Sequence, residues 1–241
     1  MIMKILSIGN SFSQDAQRYI HKISKLNGNP IKTVNLYIGG CSLRTHYFNM
    51  LENNKKYLFE FNGEGTGIYV SIKEALMSDE WDFVTFQQAS FHSPKMESYE
   101  PYLSELSAYV KKYAPQAKQL IHQTWAYSDV HVEKTGVTDT REDMFNSLCE
   151  CYDKAAKEIG ADGLIPTGKL VERLIINGID TPYRDGYHLS LGAGRLAAGL
   201  LWYSYFTGAN PDEVILPSPD EPVSEEEILI IRKSAKEILS K

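Results

Sequence analysis

Short apolar runs alternate with longer amphipathic stretches along most of this chain. The first run, residues 3–8, leads through Gly9-Asn10-Ser11 into a stretch with helical spacing. Short apolar runs are typical of strands buried inside a parallel sheet, and amphipathic stretches are typical of the helices that cover it. Comparable apolar runs lie at 33–38, 82–86, 119–122 and 163–166. The pattern therefore predicts five core strands.

Stretches with helical spacing fill the intervals between these strands. The first of them ends at Asn27-Gly28-Asn29-Pro30, because glycine and proline stop a helix. The predicted helices lie near residues 14–27, 42–54, 72–79, 100–113, 141–159, 167–177, 190–206 and 223–240. Strands that alternate with helices predict an α/β fold, here a three-layer α/β/α sandwich around a five-stranded, mostly parallel sheet.

Three segments depart from this alternation. Residues 57–72 alternate aromatic or β-branched side chains with polar ones around a glycine-rich turn, which predicts an inserted β-hairpin. Residues 126–140 are polar and are expected to form a long loop beside the site. A proline-rich link leads into a C-terminal helical extension at about 211–241. We expect one domain over residues 1–241, because a chain of 241 residues can bury a single large core.

Composition excludes several classes of function. The net charge of −6 and the lack of a basic cluster disfavour nucleic acids and anionic membranes as partners. No apolar run approaches the roughly 20 residues of a membrane-spanning helix. The N-terminus lacks a signal-peptide pattern, so we expect a cytoplasmic protein, or a secreted one if a leader was removed. The three cysteines and six histidines have neither disulfide-framework nor metal-ligand spacing, so we expect no metal and no cofactor. The oligomeric state stays open.

Polar and aromatic residues come directly after several of the predicted strands. Ser11 follows the first strand, Gly40 the second, the pair Gln87-Gln88 the third, and Trp125 the fourth. In parallel sheets the ligand crevice lies outside the carboxyl ends of the strands. We therefore expect these residues to gather at one edge of the sheet and form a site there.

Ser11, Asp185 and His188 supply the parts of a nucleophilic hydrolase. A serine hydroxyl needs a base to take its proton, and that base needs a carboxylate to fix its tautomer and stabilise its cation. Each residue also has an ordinary interpretation: Ser11 with Gln14 fits a helix capping box, and Asp185 and His188 fit a surface turn before a helix. The chain order matches that of α/β-hydrolases, but their Gly-x-Ser-x-Gly motif is absent, which indicates another fold.

Two of these motifs resemble those of the SGNH hydrolases, also called GDSL-like esterases. Gly9-Asn10-Ser11 matches their first motif, and Asp185 with His188 matches their last, Asp-x-x-His before the final helix. The resemblance implies a flavodoxin-like SGNH fold and hydrolysis of an ester through an acyl-serine, without a cofactor. It also implies an oxyanion hole to which the amides of Ser11 and Gly40 contribute.

The third motif departs from that family's pattern. Most SGNH hydrolases carry Gly-x-Asn-Asp, whose asparagine completes the oxyanion hole, whereas this chain has Gln87-Gln88-Ala89-Ser90 after the strand. Branches that act on carbohydrate esters use a glutamine at about this place, so Gln87 or Gln88 is expected to supply the donor. Gln87 is favoured because it comes first after the apolar strand. The alternative is routine hydrogen bonding at a strand end.

Aromatic residues crowd the predicted edge and suggest the substrate. Trp125, Phe12 and Tyr187 are expected to stack on a sugar, which makes a small acyl ester of a carbohydrate, in particular an acetyl ester, the expected small-molecule substrate. Alternatively, the abundant tyrosines merely fill core and surface. Two rival functions stay open: an acyltransferase with the same triad, and a carbohydrate-binding or scaffold protein whose catalytic site has decayed.

Overall fold

The sheet of this protein has seven strands. The computed structural model describes residues 2–240. The strands are β1 (Met3–Gly9), β2 (Ile31–Tyr37), β3 (Tyr57–Phe61), β4 (Glu64–Val70), β5 (Phe83–Phe86), β6 (Lys118–His122) and β7 (Gly163–Ile165). They lie in the order β4-β3-β2-β1-β5-β6-β7. β2, β1, β5, β6 and β7 pair in parallel, and the predicted parallel core is confirmed.

The prediction of a five-stranded sheet with a separate hairpin is wrong. β3 pairs antiparallel with β2, and β4 pairs antiparallel with β3, so the hairpin extends the main sheet. The alternation of side chains identified the hairpin, but it carries no information about which backbone edge the hairpin joins. The free edge of β2 offers unpaired N–H and C=O groups, and β3 satisfies them.

Helices cover both faces of the sheet, as predicted. They are α1 (Ser11–Gln17), α2 (Ile20–Leu26), α3 (Leu43–Leu51), α4 (Ile72–Met77), α5 (Tyr102–Tyr113), α6 (Asp129–Thr135), α7 (Arg141–Ile159), α8 (Thr167–Ile176), α9 (Ala193–Thr207) and α10 (Glu225–Leu239). α1, α2, α8 and α10 pack with α9 in one layer, and α3, α4 and α7 pack with α5 in the other. The C-terminal extension thus belongs to a layer of the sandwich through α10, which buries Ile231 and Ala235.

Two predicted segments differ from the structure. The helix expected at 14–27 is two helices, broken where Arg18 donates to the Gly63 carbonyl at 2.9 Å and Tyr19 donates to the Leu191 carbonyl at 2.8 Å. The expected loop at 126–140 contains α6, which Ser128 caps. The polar composition of that segment concealed its capping signals.

Strand register brings the predicted site segments to one edge. Gly9 of β1 lies beside Tyr37 of β2, and Ile8 lies beside Phe86 of β5. The strands therefore end side by side, and the residues that follow them enter the same crevice. Within residues 2–240, no helix is both long and apolar enough to span a bilayer.

Candidate active site

The turn between β1 and α1 presents the Ser11 hydroxyl. A Cβ on Gly9 would lie 2.7 Å from the Ser13 Cβ and 2.8 Å from the Asn35 Oδ1, so only glycine fits at this close approach. Asn10 is extended and caps α1, since its Oδ1 accepts the Phe12 amide at 2.9 Å. The alternative in which Ser11 itself caps the helix is wrong, and its hydroxyl is available for another partner.

Ser11, His188 and Asp185 form one continuous hydrogen-bond chain. The Ser11 Oγ lies 2.9 Å from the His188 Nε2, and the His188 Nδ1 lies 2.7 Å from the Asp185 Oδ2. With Nδ1 protonated toward the carboxylate, Nε2 is free to accept the serine proton. The structure thus brings together three residues that the sequence separates by up to 177 positions.

Backbone amides fix the Asp185 carboxylate. Its Oδ1 accepts the amides of His188 at 2.8 Å and Tyr187 at 3.2 Å, while Oδ2 faces the imidazole. Burial alone would raise the pKa of Asp185, but the hydrogen bonds from the His188 ring and from these amides lower that pKa below its ordinary value. The carboxylate is therefore ionised and held in place beside the ring.

A cavity of about 250 Å³ opens over the Ser11 hydroxyl. Its lining residues are Asn10, Ser11, Phe12, Tyr37, Gly39, Gly40, Ser90, Tyr187 and His188. Gly40 adopts a φ of +62°, which places it in the left-handed region. Among residues 2–240, the backbone amides of Ser11 and Gly40 have no intramolecular acceptor. No protein acceptor within these residues therefore occupies either N–H, and both residues line the cavity.

The Gln87 side chain lies beneath the cavity and does not line it. Its Nε2 donates to the Asn10 Oδ1 at 2.6 Å, and its Oε1 accepts from the His122 Nδ1 at 2.8 Å and from the Ser13 hydroxyl. Asn10 in turn donates to the Cys41 carbonyl at 3.1 Å. Gln87 therefore supports the turn that holds Ser11 and the segment next to Gly40.

Protein groups also occupy the Gln88 amide. Its Oε1 accepts the amide of Leu43 at 3.0 Å, and its Nε2 donates to the Ser98 carbonyl at 2.9 Å. The residue of this segment that does line the cavity is Ser90, whose Oγ lies 2.7 Å from the Tyr127 hydroxyl. Sequence reasoning missed Ser90, because nothing in the pattern showed that the chain turns away from the strand before reaching it.

Of the three aromatic residues predicted to bind substrate, two line the cavity and one lies behind them. Tyr187 and Phe12 line the cavity. Trp125 is fully buried behind them, stacks on Phe12 at 4.3 Å, and donates its indole N–H to the Tyr187 carbonyl at 2.7 Å. Trp125 thus anchors the loop between Asp185 and His188 and has no surface in the cavity. Within the described residues, no cluster of three His, Cys, Asp or Glu side chains is arranged to bind a metal.

His122, which lies beneath the site beside Gln87, makes the stability of the protein sensitive to acid. Its Nδ1–H donates to Gln87, and its buried Nε2 has no partner within residues 2–240. Burial lowers the pKa of His122 from 6.5 to about 3. The unfolded chain therefore binds a proton that the native state excludes, and stability falls as the pH drops below 6.5.

We expect this histidine alone to lower the free energy of unfolding by about 2 kcal/mol between pH 7.5 and pH 5. Urea denaturation at both pH values, for wild type and His122→Gln, measures the effect. The pH-dependence of stability should be smaller in the variant by that amount, whatever its absolute stability. An unchanged pH-dependence would show that His122 does not titrate on unfolding.

Solved structures of hydrolases and esterases share this fold. A candidate SGNH hydrolase from Slackia heliotrinireducens is 24% identical with a TM-score of 0.62, over 86% of this chain and 100% of its own. The acetyl xylan esterase AlAXEase is 16% identical with a TM-score of 0.53, over 84% of this chain and 99% of its own. The fold is that of the SGNH hydrolases, and the predicted resemblance is confirmed at this level.

The family follows from a match along nearly the whole chain. The model of the family described as "Domain of unknown function (DUF4886)" matches residues 4–236. A DUF4886 family protein from Bacteroides uniformis is 31% identical with a TM-score of 0.91, over 100% of this chain and 95% of its own. The chain belongs to the DUF4886 family. No curated protein matches it.

Proposed function

We propose that this protein is a serine esterase that removes a small acyl group, in particular acetyl, from a carbohydrate. The observation that carries the proposal is the hydrogen-bond chain from Ser11 through His188 to Asp185, which opens directly onto a cavity. A purely binding protein has no need of a nucleophile, a base and an orienting carboxylate in this order. The geometry therefore favours catalysis over a decayed site.

In the first half of the reaction, the Ser11 Oγ attacks the ester carbonyl carbon while its proton moves to the His188 Nε2. The Asp185 carboxylate holds the opposite N–H and stabilises the imidazolium that results. The tetrahedral intermediate then collapses, and the bond to the alcohol oxygen breaks. His188 donates its proton to that oxygen, so that the alcohol leaves and the acyl group stays on Ser11.

The oxyanion of the intermediate needs hydrogen-bond donors that are already in place. Within residues 2–240 the amides of Ser11 and Gly40 have no protein acceptor, and Ser90 lines the cavity from the loop after β5. Protein groups occupy the side-chain amides of both Gln87 and Gln88. The Ser90 Oγ can accept from the Tyr127 hydroxyl and still donate its own proton, so we assign the side-chain donor to Ser90 in their place. Each such donor typically contributes a hundredfold or more, on the order of 3 kcal/mol.

Hydrolysis of the acyl-serine repeats these steps with water as the nucleophile. Water gives a proton to the His188 Nε2 as its oxygen attacks the acyl carbon, and the same donors hold the second oxyanion. Collapse releases the carboxylic acid, and the proton returns from His188 to the Ser11 Oγ. The overall reaction consumes one ester and one water and yields an alcohol and an acid.

The size and lining of the cavity support a small acyl group. Its volume of about 250 Å³ lies below the roughly 300–1,000 Å³ of pockets that accept drug-sized ligands. The rings of Tyr37 and Tyr187 flank Ser11 and offer both hydroxyl groups and flat surfaces, which suit a sugar. The fold-level likeness to an acetyl xylan esterase is consistent with this substrate class.

Acyl chain length tests the proposed substrate. For 4-nitrophenyl esters, which share one leaving group, we expect kcat/KM to be highest for acetate and to fall by at least about tenfold by hexanoate, because extra methylenes do not fit the cavity. Acetylated xylose and glucose should release acetate. A preference for octanoate over acetate would contradict the assignment. Transfer of acetyl to an added sugar in preference to water would instead indicate an acyltransferase.

A further inference from the structure

Asp15 is a fully buried carboxylate on the same helix as Ser11. It lies one helical turn after the nucleophile, and none of its side chain reaches solvent. Its Oδ1 accepts from the Arg195 Nε at 2.8 Å, and the Arg184 Nη1 lies 3.0 and 3.1 Å from its two oxygens. Its Oδ2 also accepts the Leu189 amide at 2.9 Å.

These partners flank the catalytic segment on both sides. Arg184 immediately precedes Asp185, and Leu189 immediately follows His188. The two ends of the segment also meet each other, because the Arg184 amide donates to the His188 carbonyl at 3.0 Å and the Arg184 guanidinium donates to the Leu189 carbonyl. The Asp15 carboxylate, on the same helix as Ser11, therefore binds both ends of the loop that carries His188.

We propose that Asp15 is a positioning residue, which sets the distance between the Ser11 hydroxyl and the His188 imidazole through Arg184 and the Leu189 amide. This inference rests on the proposed function and adds a residue to it. Without these Asp15 contacts, which we call the clamp, the loop would be held from its other side, where Trp125 donates to the Tyr187 carbonyl and the Ser128 amide donates to the Gly186 carbonyl. A displacement of about 1 Å between nucleophile and base costs on the order of a hundredfold in rate.

The chemistry of the clamp explains why a buried charge is present. Burying a carboxylate is costly unless cations and hydrogen bonds compensate it, and here two guanidinium groups and one amide do so. A charged acceptor also makes shorter and stronger hydrogen bonds than a neutral one. The arrangement thus fixes the loop more tightly than an apolar contact, which has no directional preference.

The two arginines provide a matched pair of variants. Arg184→Gln removes the charged side-chain link between Asp15 and the catalytic loop and leaves only the Leu189 amide contact. Arg195→Gln removes the link to α9 and leaves both loop contacts in place. The Arg195 side chain is 12% exposed and the Arg184 side chain 29%, so a merely structural network predicts the larger loss for Arg195→Gln. If Asp15 is a positioning residue, Arg184→Gln should instead lose more activity than Arg195→Gln.

The experiment measures the rate at which a fluorophosphonate probe modifies Ser11, together with kcat and KM for 4-nitrophenyl acetate and the thermal midpoint of each variant. We expect Arg184→Gln to lower the labelling rate and kcat by about tenfold to a hundredfold with little change in KM. Arg195→Gln should stay within about threefold of wild type while losing at least as much thermal stability.

Each outcome decides a separate claim. Equal rates for the two variants, or a larger loss for Arg195→Gln, would overturn the positioning role while leaving the proposed function intact. Failure of the wild-type protein to react at Ser11 would overturn the proposed function and the positioning role with it. Asp15→Asn provides a second test of the positioning role. If the variant folds, it should reduce kcat at least as much as Arg184→Gln does.

Discussion

Replacement of Ser11 by alanine is expected to lower kcat for acetyl esters by roughly five to six orders of magnitude. In the proposed mechanism the Ser11 hydroxyl forms the acyl intermediate, and without it just the binding pocket and the oxyanion donors remain. The fold should not change, because among residues 2–240 the Ser11 hydroxyl bonds only to His188, and Asn10 caps the helix. Steady-state hydrolysis of 4-nitrophenyl acetate measures the loss, and the thermal midpoint checks the fold.

Ser13→Ala is the matched control for that variant. Ser13 lies on the same helix, is buried, and donates to the Gln87 Oε1 beneath the cavity. Its loss should affect stability more than chemistry, so the protein should still acylate at Ser11. A Ser11→Ala protein that kept more than about a hundredth of wild-type kcat would place the nucleophile elsewhere.

Asp185→Asn is expected to reduce kcat by about ten thousandfold. An amide in place of the carboxylate turns an N–H toward the His188 Nδ1, which favours the tautomer whose Nε2 carries the proton and cannot accept one from Ser11. Asparagine has nearly the same shape, so its carbonyl oxygen can still accept the amides of His188 and Tyr187. The loss should therefore fall on kcat, with KM almost unchanged.

The pH dependence of kcat for the wild-type protein tests the same role of Asp185. Hydrogen bonds lower the pKa of Asp185 below its ordinary 3.8, so the carboxylate stays ionised at every pH above that value and is lost only in stronger acid. A loss of kcat at higher pH values must come from another group.

The control for Asp185→Asn is Asp180→Asn, at an exposed aspartate before the loop. If Asp185→Asn kept more than about a tenth of wild-type kcat, the carboxylate would not orient His188.

Much of the fold could be predicted because its signals are local. The apolar runs of β1, β5 and β6 and the stop after residue 26 lie within a few neighbouring positions. Pairing between distant segments was hidden: the hairpin at 57–72 was visible as a hairpin, but not as two further strands of the main sheet.

The candidate site divides in the same way. Ser11, Asp185 and His188 could be proposed because motif order and strand ends point to one edge. The roles of Gln87 and Trp125 could not, because whether a side chain enters a cavity or supports it depends on partners as distant as Asn10 and Tyr187. The sequence did not point to Asp15, because its proposed role depends on contacts with Arg184 and Leu189, about 170 positions away.

The most direct test of the account is mass spectrometry of the protein after brief exposure to a fluorophosphonate probe. The account predicts one adduct, located on the peptide that contains Ser11 and formed at least about a thousandfold more slowly in His188→Ala. An adduct on another residue, or equal rates in wild type and His188→Ala, would contradict it.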